Sequence, residues 1–340
     1  MKARNCLMTS WCMYEGFFSL SSLSEQMNLI MNRRTFNRKS AMGLAMAGIS
    51  PYLSAFGPVR GSVRLGGPLY QNYGSPEEWV AGLQNKNYRA AYCPVSTDAG
   101  SDEIRVFEAA AKKADIVIAE VGAWSNPISP DAEMARTSFD KCTQSLQLAE
   151  AIGANCCVNI SGSKNSEHWA GPHKDNLTTD TFDQIVEVTR KIIDEVQPVR
   201  TYFALEPMPW AFPDSADSYL DLIRAIDRKA FGVHMDPMNL IITPSLYYGN
   251  AAMIKSCFKK LGPHIRSCHA KDILIREDYY MPQFTEVQPG LGVMDYQVFL
   301  QELSRLTAIP LMMEHLSSEE EYDRAARYIR SEGQKIGITV

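Results

Sequence analysis

The sequence has no CxxC pair, and its eight cysteines are spread too thinly over 340 residues to make a disulfide scaffold. Neither glycine (21) nor proline (18) is enriched, which excludes collagen-like and low-complexity designs. No apolar run reaches the roughly 20 residues that cross a bilayer, so no stable membrane span is expected. Basic charge is in deficit. Lys and Arg number 34 against 39 Asp and Glu, a net charge of −5, which gives no electrostatic footing for nucleic acid. No P-loop occurs, and no GxGxxG follows the first strand pattern. What remains, 45% hydrophobic and 21% charged, is the composition of a chain that folds.

The charge is not evenly shared. Residues 31–57 read MNRRTFNRKSAMGLAMAGISPYLSAFG: a basic start, a short apolar run from Ala41 to Ile49, then a small-residue site. Those are the parts of an export signal. Arg33-Arg34 with Phe36 two residues on resembles the bacterial twin-arginine signal, which carries folded proteins out of the cytoplasm. That resemblance implies an exported, periplasmic protein. Met31 would open a signal of ordinary length, and residues 1–30 carry no periodic pattern. The expected division is a leader over 1–57 and one folded domain over 58–340. The domain holds 28 basic and 37 acidic residues, net −9, with six cysteines expected as buried thiols.

From residue 62 short apolar runs alternate with helix-period segments. Eight strands are predicted: Val63–Leu65, Tyr88–Cys93, Ile116–Val121, Cys156–Ile160, Tyr202–Leu205, Gly232–Met235, Ile265–His269 and Pro310–Glu314. The clearest helix pattern runs through Phe182, Ile185, Val186, Thr189, Ile192, Ile193 and Val196. Eight βα repeats in under 300 residues predict an α/β fold, a single-domain (β/α)₈ TIM barrel. In such a barrel the chemistry belongs at the C-terminal ends of the strands.

Four successive strand ends carry metal-type ligands. Glu206 closes the fifth strand, Asp236 the sixth, His269 the seventh and Glu314 the eighth. On a barrel these ends converge on the axis, so one point can be surrounded by four donors. Three carboxylates there would repel one another without a cation. The set suits one divalent ion (Mn²⁺, Mg²⁺, Co²⁺ or Zn²⁺), with positions left for substrate oxygens.

With these residues in order, the chain resembles the xylose isomerase-like barrel superfamily of sugar isomerases and epimerases. The likeness covers most of 63–337 and is carried by LEPMP at 205–209, GVHMDPMN at 232–239, SCHAKD at 267–272, PGLGVMDY at 289–296 and MEHL at 313–316. It implies metal ligation by Glu206, Asp236, His269 and Glu314, with Glu206 and Glu314 also exchanging the proton. Asn239 stands where many epimerases of the family have a substrate-contacting His, so the usual ketohexose preference is not carried over.

Further candidates for substrate contact follow from position. Lys271 shares a face with His269, while Asp272 faces the other way. Glu120 ends the third predicted strand, and Asn159 lies at the end of the fourth with Ser161 beyond. His168, Trp169 and His173 share a long loop, and Trp210 and Phe212 lie past Glu206. Trp124 follows strand three. Indole and imidazole faces of this kind stack on sugar rings as readily as they pack in a core. Arg276, seven residues after His269, is a further candidate, or else a loop surface charge. His234 is expected as a core histidine one layer below Asp236, and His315 is expected to point away from the metal.

The expected function is proton abstraction alpha to a carbonyl, giving isomerisation or epimerisation of an unphosphorylated or oxidised sugar. The same site supports loss of a beta group, which would make the protein a lyase or dehydratase. An apurinic endonuclease-like nuclease is disfavoured by the charge and by the presence of only six histidines. A non-catalytic sugar-binding protein would need no proton exchange. A homo-oligomer is compatible with the sequence, which carries no signal of stoichiometry.

Overall fold

The computed structural model describes residues 61–340. The expected leader, 1–57, lies outside them. Within the described residues, ten strands and nine α-helices follow in chain order: β1 Arg64–Gly66, α1 Pro76–Asn85, β2 Ala90–Tyr92, α2 Ser101–Lys113, β3 Val117–Gly122, α3 Ala132–Ile152, β4 Cys156–Asn159, α4 Thr179–Val196, β5 Phe203–Leu205, α5 Ala216–Ile226, β6 Phe231–Met235, α6 Pro244–Tyr248, α7 Asn250–Leu261, β7 Ile265–Ala270, β8 Asp272–Ile275, β9 Phe284–Val287, α8 Tyr296–Leu303, β10 Pro310–Met313 and α9 Glu319–Lys335.

Eight of the strands close a parallel barrel in the order β1-β10-β7-β6-β5-β4-β3-β2. All eight predicted strands are present, most within a residue or two of their expected bounds. Closure needs β1 to meet β2 at Gly66 and Ala90, where a Cβ on Gly66 would stand 2.4 Å from the Ala90 carbonyl oxygen. Only glycine permits that approach.

The helices form because their caps and apolar spacing agree. In α4 the Thr178 side chain accepts from the Thr181 amide, and Ile185, Val186, Thr189, Ile192 and Ile193 bury one face. In α5 Ser215 and Ser218 cap each other reciprocally. The main apolar core fills the space between barrel and helices. Inside the barrel smaller side chains meet: Ala90, Ala119 and Met312 in one group, Cys156, Val158 and Ala204 in another. The six described cysteines are all free, and five are buried.

Two departures bear on function. A register shift opposite Ala91 and Tyr92 leaves Ala119 out of the β2–β3 pairing. Strict alternation would place Ala119 and Glu120 on opposite faces, yet both reach the interior. Glu120 thus lies within β3 and not at its end. The second departure is the antiparallel hairpin β8–β9, which leaves the barrel directly after β7.

Candidate metal and substrate site

Strand parity builds the site. Ala204 and Glu206, His234 and Asp236, Ser267, His269 and Lys271, and Met312 and Glu314 each project inward from successive strands. The Glu206 amide donates to the Asn159 carbonyl at 2.8 Å, and the Tyr219 hydroxyl from α5 donates to the Gly232 carbonyl at 3.0 Å while accepting from the Leu205 amide at 3.1 Å. These bonds fix the end of β5. Pro207 and Pro237 stop the strands just beyond Glu206 and Asp236.

Donor atoms of Glu206, Asp236, His269 and Glu314 all lie within 4.8 Å of one another. His269 Nδ1 is 3.0 Å from Glu206 Oε1 and 2.6 Å from Glu314 Oε1. The other ring nitrogen, Nε2, lies 3.1 Å from Glu120 Oε1, and the Ser267 hydroxyl donates to Glu120 Oε2 at 2.9 Å. Asp236 Oδ1 accepts from the Met238 amide at 2.9 Å. Lys271 Nζ stands 2.8 Å from Asp236 Oδ2, 2.6 Å from Glu314 Oε1 and 3.4 Å from Glu206 Oε1.

The residues fit a divalent cation on two counts. Three carboxylates and one imidazole are the donor set of a hard or borderline ion. Moreover, Asp236 Oδ2 and Glu314 Oε1 are buried without a hydrogen bond. The Lys271 ammonium is close to both and supplies positive charge beside them. Glu120 completes the arrangement, because a carboxylate on Nε2 leaves Nδ1 as the donor toward the common point.

Electrostatics follow from burial and these contacts. Burial opposes ionisation of Glu206, but Lys271 and His269 hold its carboxyl well below the usual range. Glu314, also buried, is held by His269 at about 2. Burial pushes Asp236 up to about 7 against the pull of Lys271. His269 is raised well above its usual value, the carboxylates of Glu314, Glu120 and Glu206 overcoming its burial. Burial and His269 push His234 down to about 4, so it sits neutral against the His269 ring at a centroid distance of 4.0 Å.

Above the cluster opens a cavity of about 630 Å³. Six expected residues line it: Glu206, Glu314, Lys271, Glu120, Asn239 and Trp210, with Trp124 and Trp169 beside them. Asp236 and His269 lie fully buried beneath. Three expected substrate residues are not on its wall. Asn159 is buried, its side chain accepting from the Ser125 amide and donating to Cys142 Sγ, so it fastens the loop after β3. His168 is exposed, and its backbone closes a turn with Asn165 and Gly171. Arg276 pairs with Asp278 at 2.8 Å and lies over the Tyr279 ring.

Four lining residues with polar side chains escaped the sequence reading as site residues: Tyr92, Glu286, His315 and Tyr322. His315 was expected to point away. Its φ of +60 breaks strand alternation and turns it to the cavity, 3.1 Å from Glu286 of β9. A second cavity of about 590 Å³ opens at the opposite end of the barrel. Its arginines, Arg64 and Arg89, are both paired with Asp115, and among the described residues no ligand cluster faces it.

The family described as xylose isomerase-like TIM barrel matches the sequence over residues 85–332. Among curated proteins none matches. Many solved structures share the fold. The probable 3-DHS dehydratase AsbF of Bacillus anthracis, involved in petrobactin synthesis, superposes with a TM-score of 0.59 at 17% identity, covering 78% of this chain and 97% of that one. A xylose isomerase-like TIM barrel protein of Mycobacterium smegmatis, in complex with magnesium, gives 0.57 at 15% identity over 82% and 97%. The 3-keto-D-glucoside 4-epimerase YcjR of E. coli gives 0.56 at 12% identity over 79% and 100%.

Proposed function

The chain belongs to the xylose isomerase-like TIM barrel family, and from that premise we propose that it is a divalent-metal-dependent isomerase or epimerase of an unphosphorylated or oxidised sugar. One observation carries the reading: Glu206, Asp236, His269 and Glu314 bring their donor atoms within 4.8 Å of one another beneath a cavity of about 630 Å³. Held by these four, a divalent ion supplies Lewis acidity toward the sugar carbonyl.

The chain's own residues do the rest. Glu206 and Glu314 both line the cavity and are both held ionised, so either can take a proton alpha to the carbonyl. For isomerisation the same carboxylate returns that proton to the neighbouring carbon; for epimerisation it keeps the proton while the other carboxylate, protonated from solvent, delivers one to the opposite face. Lys271 keeps positive charge beside the carboxylates throughout. Glu120 holds the His269 ring in place.

An unphosphorylated substrate is supported by the cavity wall. Among the described residues its only cationic side chains are Lys271 and His315, and both already face carboxylates, so none is spare for a phosphate. The twin-arginine segment supports the same reading, since export places the protein where sugar phosphates are scarce. Elimination is the second reading. His315, raised by its hydrogen bond to Glu286, can protonate a departing group after Glu206 or Glu314 has taken the alpha proton.

The test is NMR in D₂O on the Mn²⁺-loaded protein with a panel of free and oxidised sugars. Substrate-dependent deuterium at an alpha carbon is expected, falling more than about a hundredfold in Glu206→Gln and Glu314→Gln. Unchanged exchange in both variants overturns the reading. A released beta group in place of a rearranged sugar selects the lyase.

A further inference from the structure

We propose that the sugar reacting at the metal cluster is one end of a neutral glycoside, whose second ring stacks on a platform made by Trp169 and Trp210. This rests on the proposed reaction for the inner ring alone; the platform is argued from its own residues.

Trp169 lies in the loop after β4 and Trp210 in the loop after β5. Both line the cavity, and both remain open to solvent, 42% and 37% exposed. Trp124 lies deeper, its ring centroid 6.3 Å from that of His269. The aromatic wall therefore continues from the cluster outward to the mouth.

The Trp210 indole is tied to the loop that carries Trp169. Trp210 Nε1 donates to the Ala170 carbonyl at 2.7 Å, which joins the two loops and uses the polar edge of the ring. What stays available is its apolar face. The first of these loops is anchored by buried polar groups. The Asn126 side chain donates to the Ser163 carbonyl at 2.8 Å and accepts from the Ser163 amide at 3.0 Å, and Asn176 Nδ2 donates to the Gly171 carbonyl at 3.1 Å. Asn126, Ser163 and Asn176 are each at most 1% exposed. Neighbouring apolar rings open to solvent on the wall of a cavity form the kind of contiguous patch that marks a binding surface.

Size and charge select the occupant. The cavity lies within the range of sites that enclose drug-sized ligands, about 300–1,000 Å³, and exceeds what a single sugar ring fills. The wall residues next to the two indoles in sequence, Ala170, Met208 and Pro209, carry no ionisable side chain. The outer ring is therefore uncharged and presents a flat apolar face. A pyranose C–H face and an aromatic aglycone both meet that description.

The experiment is calorimetry on the Mn²⁺-loaded full chain with glucose and galactose, cellobiose and lactose, and the phenyl β-glycosides of both sugars. At least one two-ring probe should bind about tenfold more tightly than its free sugar, the scale of one good aromatic contact. Preference for the disaccharide identifies a second sugar; preference for the phenyl glycoside identifies an aryl group. In Trp169→Ala and Trp210→Ala that ratio should fall toward one while Mn²⁺ affinity, which reports an intact fold, is unchanged. Trp210→Phe should keep part of the ratio. Equal binding of one-ring and two-ring probes, no binding by any two-ring probe, or a ratio that survives the double alanine variant overturns the proposal. Because no turnover is read, absent deuterium exchange with an intact ratio would remove the isomerase reading and leave the platform standing.

Discussion

A histidine flanked by carboxylates on both ring nitrogens has no fixed tautomer until one carboxylate claims the proton. Glu120 does so for His269: it is 1% exposed at the side chain, 3.1 Å from Nε2, and steadied by the Ser267 hydroxyl. Nδ1 is thereby committed to the side where Glu206, Asp236 and Glu314 converge. Changing Glu120 to Gln should weaken Mn²⁺ binding by about 10–100-fold, measured by titration calorimetry, with the ligand set itself untouched. An unaltered Kd would show that His269 is oriented by something else. Ligands of this kind are legible in a sequence because a strand end and a parity rule place them. Glu120 was legible as a pocket residue, but its partner was not, since the irregular pairing at Ala119 that turns it inward leaves no composition signal. His315 was misread for the related reason that alternation carries through Glu314 and then fails at His315, where φ is +60.

One carboxylate at the start of hairpin β8–β9 fastens the loop that follows the hairpin. Asp272 Oδ1 accepts from the amides of Ile273 and Met294, both at 2.9 Å, and Oδ2 from those of Gly290 at 2.9 Å and Gly292 at 3.1 Å. A Cβ on Gly292 would lie 2.3 Å from Oδ1, so the loop is built around the acid. Asp272→Ala should cost about 2–4 kcal/mol in urea unfolding, because it strands two buried amides, of Ile273 and Met294, and two partly buried ones together. A loss below about 0.5 kcal/mol, the level of an ordinary surface change, would contradict this account. Neither strand of the hairpin was expected: β9 is largely solvent-facing, so no alternation of apolar residues announces it. Helix α1 is a different omission. Ser75-Pro76 with Glu77 and Glu78 is a helix start in plain sequence, and Ser75 does accept from the Glu78 amide. The barrel strands were readable despite having only three to six residues, because each is an apolar run bounded by helix-period segments.

At the scale of the whole chain, the four ligands sit on β5, β6, β7 and β10, which are consecutive in the closed sheet. An ion bound there ties half of the barrel together at its open end, and it binds only the folded state. Adding Mn²⁺ to a hundred times its Kd should raise unfolding stability by about 2.7 kcal/mol over the protein in EDTA, read as a shift in Tm. Equal Tm in the two conditions would mean that the cluster holds no such ion. These expectations concern residues 61–340 alone.

Three of the five tryptophans, Trp124, Trp169 and Trp210, share the wall of a single cavity, while Trp79 is buried on α1 and Trp11 lies outside the described residues. Three of the four indoles among the described residues therefore sit where a guest in this cavity would change their surroundings, and with them the intrinsic emission. The molecule carries its own optical gauge of occupancy, with no dye or label attached.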